Sequence, residues 1–375
     1  MMFLGKIKFN SLQIIALGFA AIILIGALLL MLPAANRNGE TIPFVNALFT
    51  ATSATCVTGL SVRSTEHAFS FWGQVVILGL IQIGGVGIMT LTTFVVFQFG
   101  RQASLRSRVV LSESLGADPG ADFRWILRNV LLFTATAESI GALVLAVRNL
   151  FDQPPLEAVW YGIFHAISAF CNAGFSTFGG NMQDMVGNTT FLAAITVLVA
   201  CGGLGYTVIL GVTGRAWKTV RRQPRPVSWS LNTRVVLMTT SILILGSVIC
   251  LCLLGMLPSE THWYSRLGHC LFQSISARTA GFNTVDINQS PVPVLLWLAF
   301  LMFVGGSPGS CAGGIKTTSL AIWAARLRAR LRNREDVTIG GRWIPVDLVR
   351  RTGLLIATAA VFNILGLMVL AITEM

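Results

Sequence analysis

The chain has 375 residues, of which 54% are hydrophobic and only 11% charged, and its mean hydropathy is +0.73. Soluble domains carry about 25% charged residues, so this composition lacks the polar surface needed to face water on all sides. The net charge of +12 is spread over several connections without interleaved aromatics, which argues against a nucleic-acid footprint and for membrane topology. Seven cysteines form no CxxC pair and no metal-like spacing, and read as buried free thiols.

In chain order, apolar stretches long enough to cross a bilayer, which takes about 20 residues, are predicted near 11–32, 72–99, 127–147, 190–212, 234–257, 291–304 continuing to about 325, and 352–372. Lys6 and Lys8 before the first stretch, with Pro33-Ala34-Ala35 after it, give it the look of a secretory signal. Its apolar run exceeds the roughly 7–15 residues of a signal core, so a retained helix is expected. Three shorter apolar stretches, near 43–55, 157–170 and 264–277, are too short to span. They are predicted to be re-entrant pore helices, which are tolerated at membrane depth only when buried in protein or lining a watery cavity.

Basic residues set the orientation. Arg101, Arg106, Arg108 and Arg124 follow the second span, and Arg215, Lys218, Arg221, Arg222 and Arg225 follow the fourth. Arg326, Arg328, Arg330, Arg332, Arg334 and Arg342 precede the last, whereas the connections 149–157, 176–190 and 283–293 hold no Lys or Arg. The positive-inside rule places the amino terminus and the Arg-rich loops in the cytoplasm.

The strongest signal is an internal repeat. Phe49 to Leu60 ends in Cys56-Val57-Thr58-Gly59-Leu60, and Phe164 to Phe175 ends in Cys171-Asn172-Ala173-Gly174-Phe175. A third version, one residue shorter, runs from Phe272 to Arg278-Thr279-Ala280-Gly281-Phe282. Each is followed 24 to 28 residues later by a glycine cluster: Gly84-Gly85-Val86-Gly87, Gly202-Gly203-Leu204-Gly205, and Gly305-Gly306-Ser307-Pro308-Gly309. Gly59, Gly174 and Gly281 are 115 and 107 residues apart, a period that marks a duplicated unit.

A short helix that points its carboxyl end at the membrane centre offers partial negative charge to a cation. The extended residues after it can present backbone carbonyls in place of a hydration shell, and glycine orients those carbonyls while keeping the lining narrow. Carbonyls suit a dehydrated monovalent cation; a divalent ion calls for convergent carboxylates, and the three segments contain no acid. For Gly84–Gly87 and Gly202–Gly205, close helix packing in lipid explains the glycines equally well.

With these motifs in hand, the chain resembles the superfamily of potassium transporters that includes bacterial Ktr and Trk membrane subunits and plant HKT proteins. The likeness rests on Val57–Leu60, Asn172–Phe175, Ala277–Asn283 and the run from Gly305 to Thr318, and extends over essentially the whole chain. The resemblance implies an all-α polytopic fold of repeated M1–pore loop–M2 units around a pseudo-fourfold pore, like a potassium channel. The first repeat is then expected at 1–100, the second at 101–214, the third at 215–335, and the start of a fourth at 336–375. It implies potassium uptake across a bacterial inner membrane, with no enzymatic activity and no bound cofactor beyond the transported potassium. The expected filter comprises Cys56, Val57, Thr58, Gly59, Cys171, Asn172, Ala173, Gly174, Arg278, Thr279, Ala280 and Gly281. Expected partners are membrane lipid, a second copy of the chain and a cytoplasmic nucleotide-binding regulatory subunit. The first span begins close to the amino terminus, which favours the Ktr type over Trk.

Gly305 to Thr318 interrupts the sixth span. A Gly/Ser/Pro run of this kind cannot stay helical, so it is expected to line a cavity. The resemblance implies an intramembrane gate built from Gly305, Gly306, Ser307, Gly309, Ser310, Gly313, Gly314 and Lys316. Its likeness to a phosphate-binding loop is weak, because the spacing is off and no strand precedes it. Glu138, inside a span, reads either as a functional carboxylate or as a structural partner of a nearby polar group. His165 on the second pore helix reads as a hydrogen-bonding helix residue and Arg278 as a brace for its loop, and Arg63, Glu66 and His67 read as the outer mouth. The four histidines join no nucleophile in a catalytic motif. Three complete units where the architecture has four leave a second expectation open, a truncated or fragmentary membrane protein that does not conduct.

Overall fold

The computed structural model describes residues 11–102, 123–220, 229–256 and 262–373. Lys6, Lys8, Arg106, Arg108, Arg221, Arg222 and Arg225, which enter the orientation argument, lie outside the described residues. The fold is all-α and polytopic. The helices are α1 Ser11–Met31, α2 Phe44–Thr55, α3 Thr65–Ala68, α4 Phe71–Gln102, α5 Phe123–Asn149, α6 Pro155–Phe170, α7 Thr189–Leu204, α8 Tyr206–Val220, α9 Leu231–Leu253, α10 Trp263–Ser276, α11 Val292–Phe303, α12 Thr317–Leu331 and α13 Val346–Thr373. One small antiparallel hairpin joins the last two, with β1 Thr338–Ile339 against β2 Arg342–Trp343 and Thr338 opposite Trp343.

Among the described residues, four helical segments are long and apolar enough to cross a membrane: Phe71–Leu91, Leu127–Asn149, Leu231–Leu253 and Val346–Thr373. The span predicted over 190–212 is not one straight helix. It breaks at Gly205 between Leu204 and Tyr206 with a bend of 104°, and the two halves count as a fifth crossing if taken together. Gly205 has φ +80, a conformation open to glycine and costly for other residues, so the helix cannot run through it. The sixth stretch is interrupted as expected, with α11 ending at Phe303 and α12 starting at Thr317.

The short helices α2, α6 and α10 fall on the stretches predicted as pore helices. Prolines mark several helix starts, with Pro43 before α2, Pro155 opening α6 and Pro291 before α11. There the missing N–H costs nothing and the fixed φ already suits a helix.

By internal packing the chain falls into two units. The first comprises Met1–Ile88, Leu131–Val199 and Ala280–Asp286. Its core includes Leu30, Ile77, Ile81, Leu145, Phe164, Phe170, Phe191, Ile195 and Phe282, all at or near zero exposure. The same packing device occurs twice within it: a Cβ on Gly26 would come 2.7 Å from a Leu80 methyl, and one on Gly141 would come 2.7 Å from a Leu198 methyl. Small residues at such crossings let helices approach closely where lipid provides no hydrophobic drive.

The second unit comprises Met89–Val130, Ala200–Thr279 and Ile287–Met375. It contains the bend at Gly205, α8 to α10, the interruption after α11, the hairpin and α13. Beneath the hairpin, Ala329, Val337, Ile344 and Val349 form a small core joined by Ile322, Ala325 and Ile339.

Candidate functional site

Within the first unit, the turns that follow α2 and α6 meet the segment that begins at Ala280. A Cβ added to Gly59 would lie 2.7 Å from the Ala173 carbonyl oxygen, and one added to Gly174 would lie 2.7 Å from that of Ala280. One added to Gly281 would lie 3.2 Å from the Cα of Gly174 and 3.6 Å from that of Gly59. Three segments more than a hundred residues apart in sequence thus abut at their glycines, and any side chain there would strike backbone.

The backbone of the three turns follows one pattern. Gly59, Gly174 and Gly281 have φ of 85°, 71° and 77°, and the residues two positions earlier, Val57, Asn172 and Thr279, have φ of 57°, 59° and 69°. Asparagine tolerates this region, but β-branched Val57 and Thr279 are outliers there. Such strain costs about 1–3 kcal/mol per residue and persists only where the surroundings impose it. The one-residue difference in length of the third segment is absorbed before Thr279, so the left-handed positions stay in register with the glycine.

Matching hydrogen bonds hold the first two turns. The Thr58 N–H donates to Ser53 O at 2.8 Å and the Ala173 N–H to Ser168 O at 2.7 Å. The Ser168 hydroxyl also donates to Phe175 O at 2.7 Å. His165 is fully buried, with Nδ1 2.8 Å from Tyr161 O, Nε2 3.1 Å from the Ser176 hydroxyl and its ring stacked on Phe178. It is a structural brace of the second turn. Asn181 reaches Gly281 O through its amide at 3.4 Å, a contact that only its left-handed φ of 59° and a polar side chain in a loop could have hinted at.

The expected filter residues do not all face the meeting point. Cys56 caps α2 and is exposed. Cys171 caps α6 and is buried, its thiol 3.8 Å from Glu138 Oε1 and 3.9 Å from Gln82 Oε1. Gln82 in turn donates to Glu138 Oε2 at 3.0 Å, which makes Gln82 the polar partner that Glu138 calls for. A glutamine in the middle of an apolar span was the available signal. A Cβ on Gly85 would collide with Cys171 Sγ and one on Gly84 with Thr55 O, so the first glycine cluster keeps α4 close to the ends of α2 and α6.

Within the second unit, the segment between α11 and α12 is irregular yet fully ordered by hydrogen bonds. The Ser307 N–H donates to Gly203 O at 2.9 Å, the Cys311 N–H to Gly202 O at 3.2 Å, and the Tyr206 N–H to Gly309 O at 3.3 Å. These carbonyls of Gly202 and Gly203 are available because the helix ends at Leu204. Inside the segment, Gly306 N–H donates to Gly313 O at 3.3 Å, the Ser310 hydroxyl to Ser307 O at 2.6 Å, and Lys316 Nζ to Ala312 O at 2.6 Å. Arg278 Nη2 donates to Gly305 O at 3.2 Å and the Gly313 N–H to Thr279 Oγ1 at 3.0 Å. The Arg278 side chain therefore serves the loop from Gly305. Ser307, Ser310, Cys311 and Ala312 are buried, the condition under which non-helical backbone is tolerated at membrane depth.

Comparison with known proteins supplies an independent line. The sequence model of TrkH, described as a cation transport protein, matches residues 9–373. The chain is 33% identical to the potassium/sodium uptake protein NtpJ of Enterococcus hirae, over 98% of its own length and 80% of the relative's. It is 34% identical to the Ktr system potassium uptake protein B of Bacillus subtilis, over 98% and 81% of the two lengths. The crystal structure of the potassium transporter TrkH from Vibrio parahaemolyticus superposes with a TM-score of 0.71 at 21% identity, covering 98% of this chain and 74% of that one. A multi-pass all-α membrane protein with three glycine turns gathered at one point and a family match over nearly its whole length belongs to the TrkH family of cation transport proteins.

Proposed function

We propose that the chain takes up potassium across a bacterial plasma membrane through a filter of backbone carbonyls at residues 57–59, 172–174 and 279–281. The observation that carries this reading is the repeated backbone pattern, left-handed at the glycine and again two residues earlier in each turn. Alternating the sign of φ turns successive peptide planes so that consecutive carbonyls can project to one side, as replacement of a hydration shell demands. The strained backbone at Val57 and Thr279 supports a functional cause, since such strain clusters at functional sites. The relatives named for potassium uptake support the choice of ion.

On this reading the repeats run 1–100, 101–214 and 215–335, with 336–375 opening a fourth, and the loop from Gly305 to Lys316 gates the path. The irregular, small-residue backbone of that loop supports a movable element better than a fixed helix break. The Arg-rich connections face the cytoplasm and would receive a nucleotide-binding regulatory subunit, and two copies of the chain would pair. The relative named as component B of a Ktr system supports a partner of some kind.

The abutting glycines favour a second reading. On it, passage of a dehydrated ion requires the turns to part, and turns packed as closely as these do not conduct. Expression in a strain that cannot grow at low potassium separates the two. Rescue by the 375-residue chain is expected from the first reading and sinks the second. Membrane insertion without rescue, together with rescue by a version carrying a fourth pore turn, sinks the first for this chain alone.

A further inference from the structure

The end of α12 and the hairpin after it enclose a cavity of about 260 Å³. Arg328, Arg332 and Arg334 line it together with Asp336 and the Gly340–Gly341 turn. Both glycines have positive φ, 57° and 78°, so the two-residue turn is of the kind that closes tight hairpins. The enclosure is a built one. The Ile344 N–H donates to Val337 O at 2.9 Å, Trp343 Nε1 donates to the Asp336 carboxylate at 3.1 Å, and the Ala329–Val337–Ile344–Val349 core fixes the hairpin to α12 and α13.

Three guanidiniums face one carboxylate here, and that carboxylate already accepts from Trp343. The ion pairs among the described residues lie elsewhere, at Glu66–His67 and Arg148–Asp152. Arg328 and Arg332 stand four apart on the helix, where like charges disfavour each other. The negative end of the helix dipole accounts for basic residues in the last turn of α12. It does not account for their convergence with Arg334 on one cavity roofed by a hairpin. Leu327 and Leu331 precede lining residues in the chain and Trp343 lies on the hairpin, and they are 46%, 79% and 51% exposed. Three residues past β2 the 28-residue apolar helix α13 begins. Guanidinium groups near exposed Leu and Trp, on the chain that leads into a helix of membrane-spanning length, match a ligand with an anionic head and an acyl tail.

We propose that this cavity binds the phosphate headgroup of an anionic phospholipid, with Arg328, Arg332 and Arg334 donating to the phosphate oxygens. The inference goes beyond conduction and rests only on the orientation that puts this end of α12 at the cytoplasmic surface.

The test uses the purified full chain in phosphatidylcholine micelles, titrated with short-chain phosphatidylglycerol and followed by native mass spectrometry. The wild type is expected to bind phosphatidylglycerol at least tenfold more tightly than short-chain phosphatidylcholine. The triple variant R328Q/R332Q/R334Q is expected to lose that preference, whereas R350Q/R351Q, outside the cavity, changes it less than twofold. Raising sodium chloride from about 50 to about 500 mM should weaken the wild type's binding to phosphatidylglycerol alone, a readout that stands even if the triple variant fails to fold. Inorganic phosphate should not displace the lipid; displacement at low millimolar concentration would reassign the site to a soluble phosphate. Equal binding of the two lipids by the wild type, or unchanged binding by a folded triple variant, overturns the proposal. Neither result bears on potassium uptake.

Discussion

The side-chain amide of Gln82 donates to Glu138 at 3.0 Å, joining α4 to α5 directly beside Cys171, the residue that caps α6. A carboxylate inside a membrane span is by default read as part of an ion path. Here its neighbours are neutral donors, and it is 8% exposed. The three side chains tie two spans to the base of the second turn, so Glu138 acts as a brace.

That role separates two substitutions. Glu138→Leu leaves the Gln82 amide without this acceptor, and an unsatisfied buried donor costs about 1–3 kcal/mol. Glu138→Gln keeps an acceptor and should cost less, under about 1 kcal/mol. Thermal melting of the purified chain in detergent should therefore rank wild type, Glu138→Gln and Glu138→Leu in descending order, with Gln82→Leu close to the last. Equal losses for Glu138→Gln and Glu138→Leu would mean that the negative charge itself is required.

The turn glycines give a test of the filter. Serine at Gly59 or Gly174 places a Cβ 2.7 Å from the Ala173 or Ala280 carbonyl oxygen, on a backbone with φ of 85° or 71°. The carbonyl must move and the backbone takes on about 1–3 kcal/mol of strain. Either change should bring potassium and sodium uptake, measured in proteoliposomes, closer to equality. Gly79→Ala, with nothing within 4 Å of the added carbon, is the matched control and should leave the ratio unchanged. Selectivity that survives both serine variants would remove the filter assignment.

Tethers on the loop after α11 predict the opposite sign in flux. Lys316 Nζ bonds Ala312 O at 2.6 Å, and Arg278 Nη2 bonds Gly305 O at 3.2 Å, each a charge-assisted contact of about 1.5–3 kcal/mol. Lys316→Met or Arg278→Gln should free the loop and raise potassium flux severalfold if the loop obstructs the path. Flux at the wild-type level in both variants would make it a passive break.

How much of this was legible in sequence depended on whether a feature is local. The short helices α2, α6 and α10 read well because each apolar stretch is too short to span and a small-residue-then-glycine pattern follows it, with prolines opening the first two, and the interruption at Gly305–Lys316 read well because its composition forbids a helix. The break at Gly205 did not. Gly202-Gly203-Leu204-Gly205 sits in a long apolar run, and hydropathy passes through it as one span from 190 to 212. What breaks the helix is a tertiary event, the exchange of its own hydrogen bonds for those to Ser307 and Cys311 more than a hundred residues later. The pairing of Gln82 with Glu138 was hidden for the same reason: each residue looks odd in its span, but only the packing of α4 on α5 makes them partners.

The break itself yields the last prediction. An added Cβ at Gly205 would lie 2.8 Å from Pro308 O and 2.9 Å from Gly309 O, and alanine disfavours a φ of +80. Gly205→Ala should thus push toward a continuous helix, reclaim the Gly202 and Gly203 carbonyls for intrahelical bonds and displace the loop that now occupies them. If Gly205 and Lys316 hold the same loop by two routes, freeing it twice gains little. The flux of Gly205→Ala combined with Lys316→Met should fall well short of the product of the single effects, since residues sharing one network couple by about 0.5–3 kcal/mol. Multiplicative effects in that double variant would show that the bend and the lysine act on separate structures.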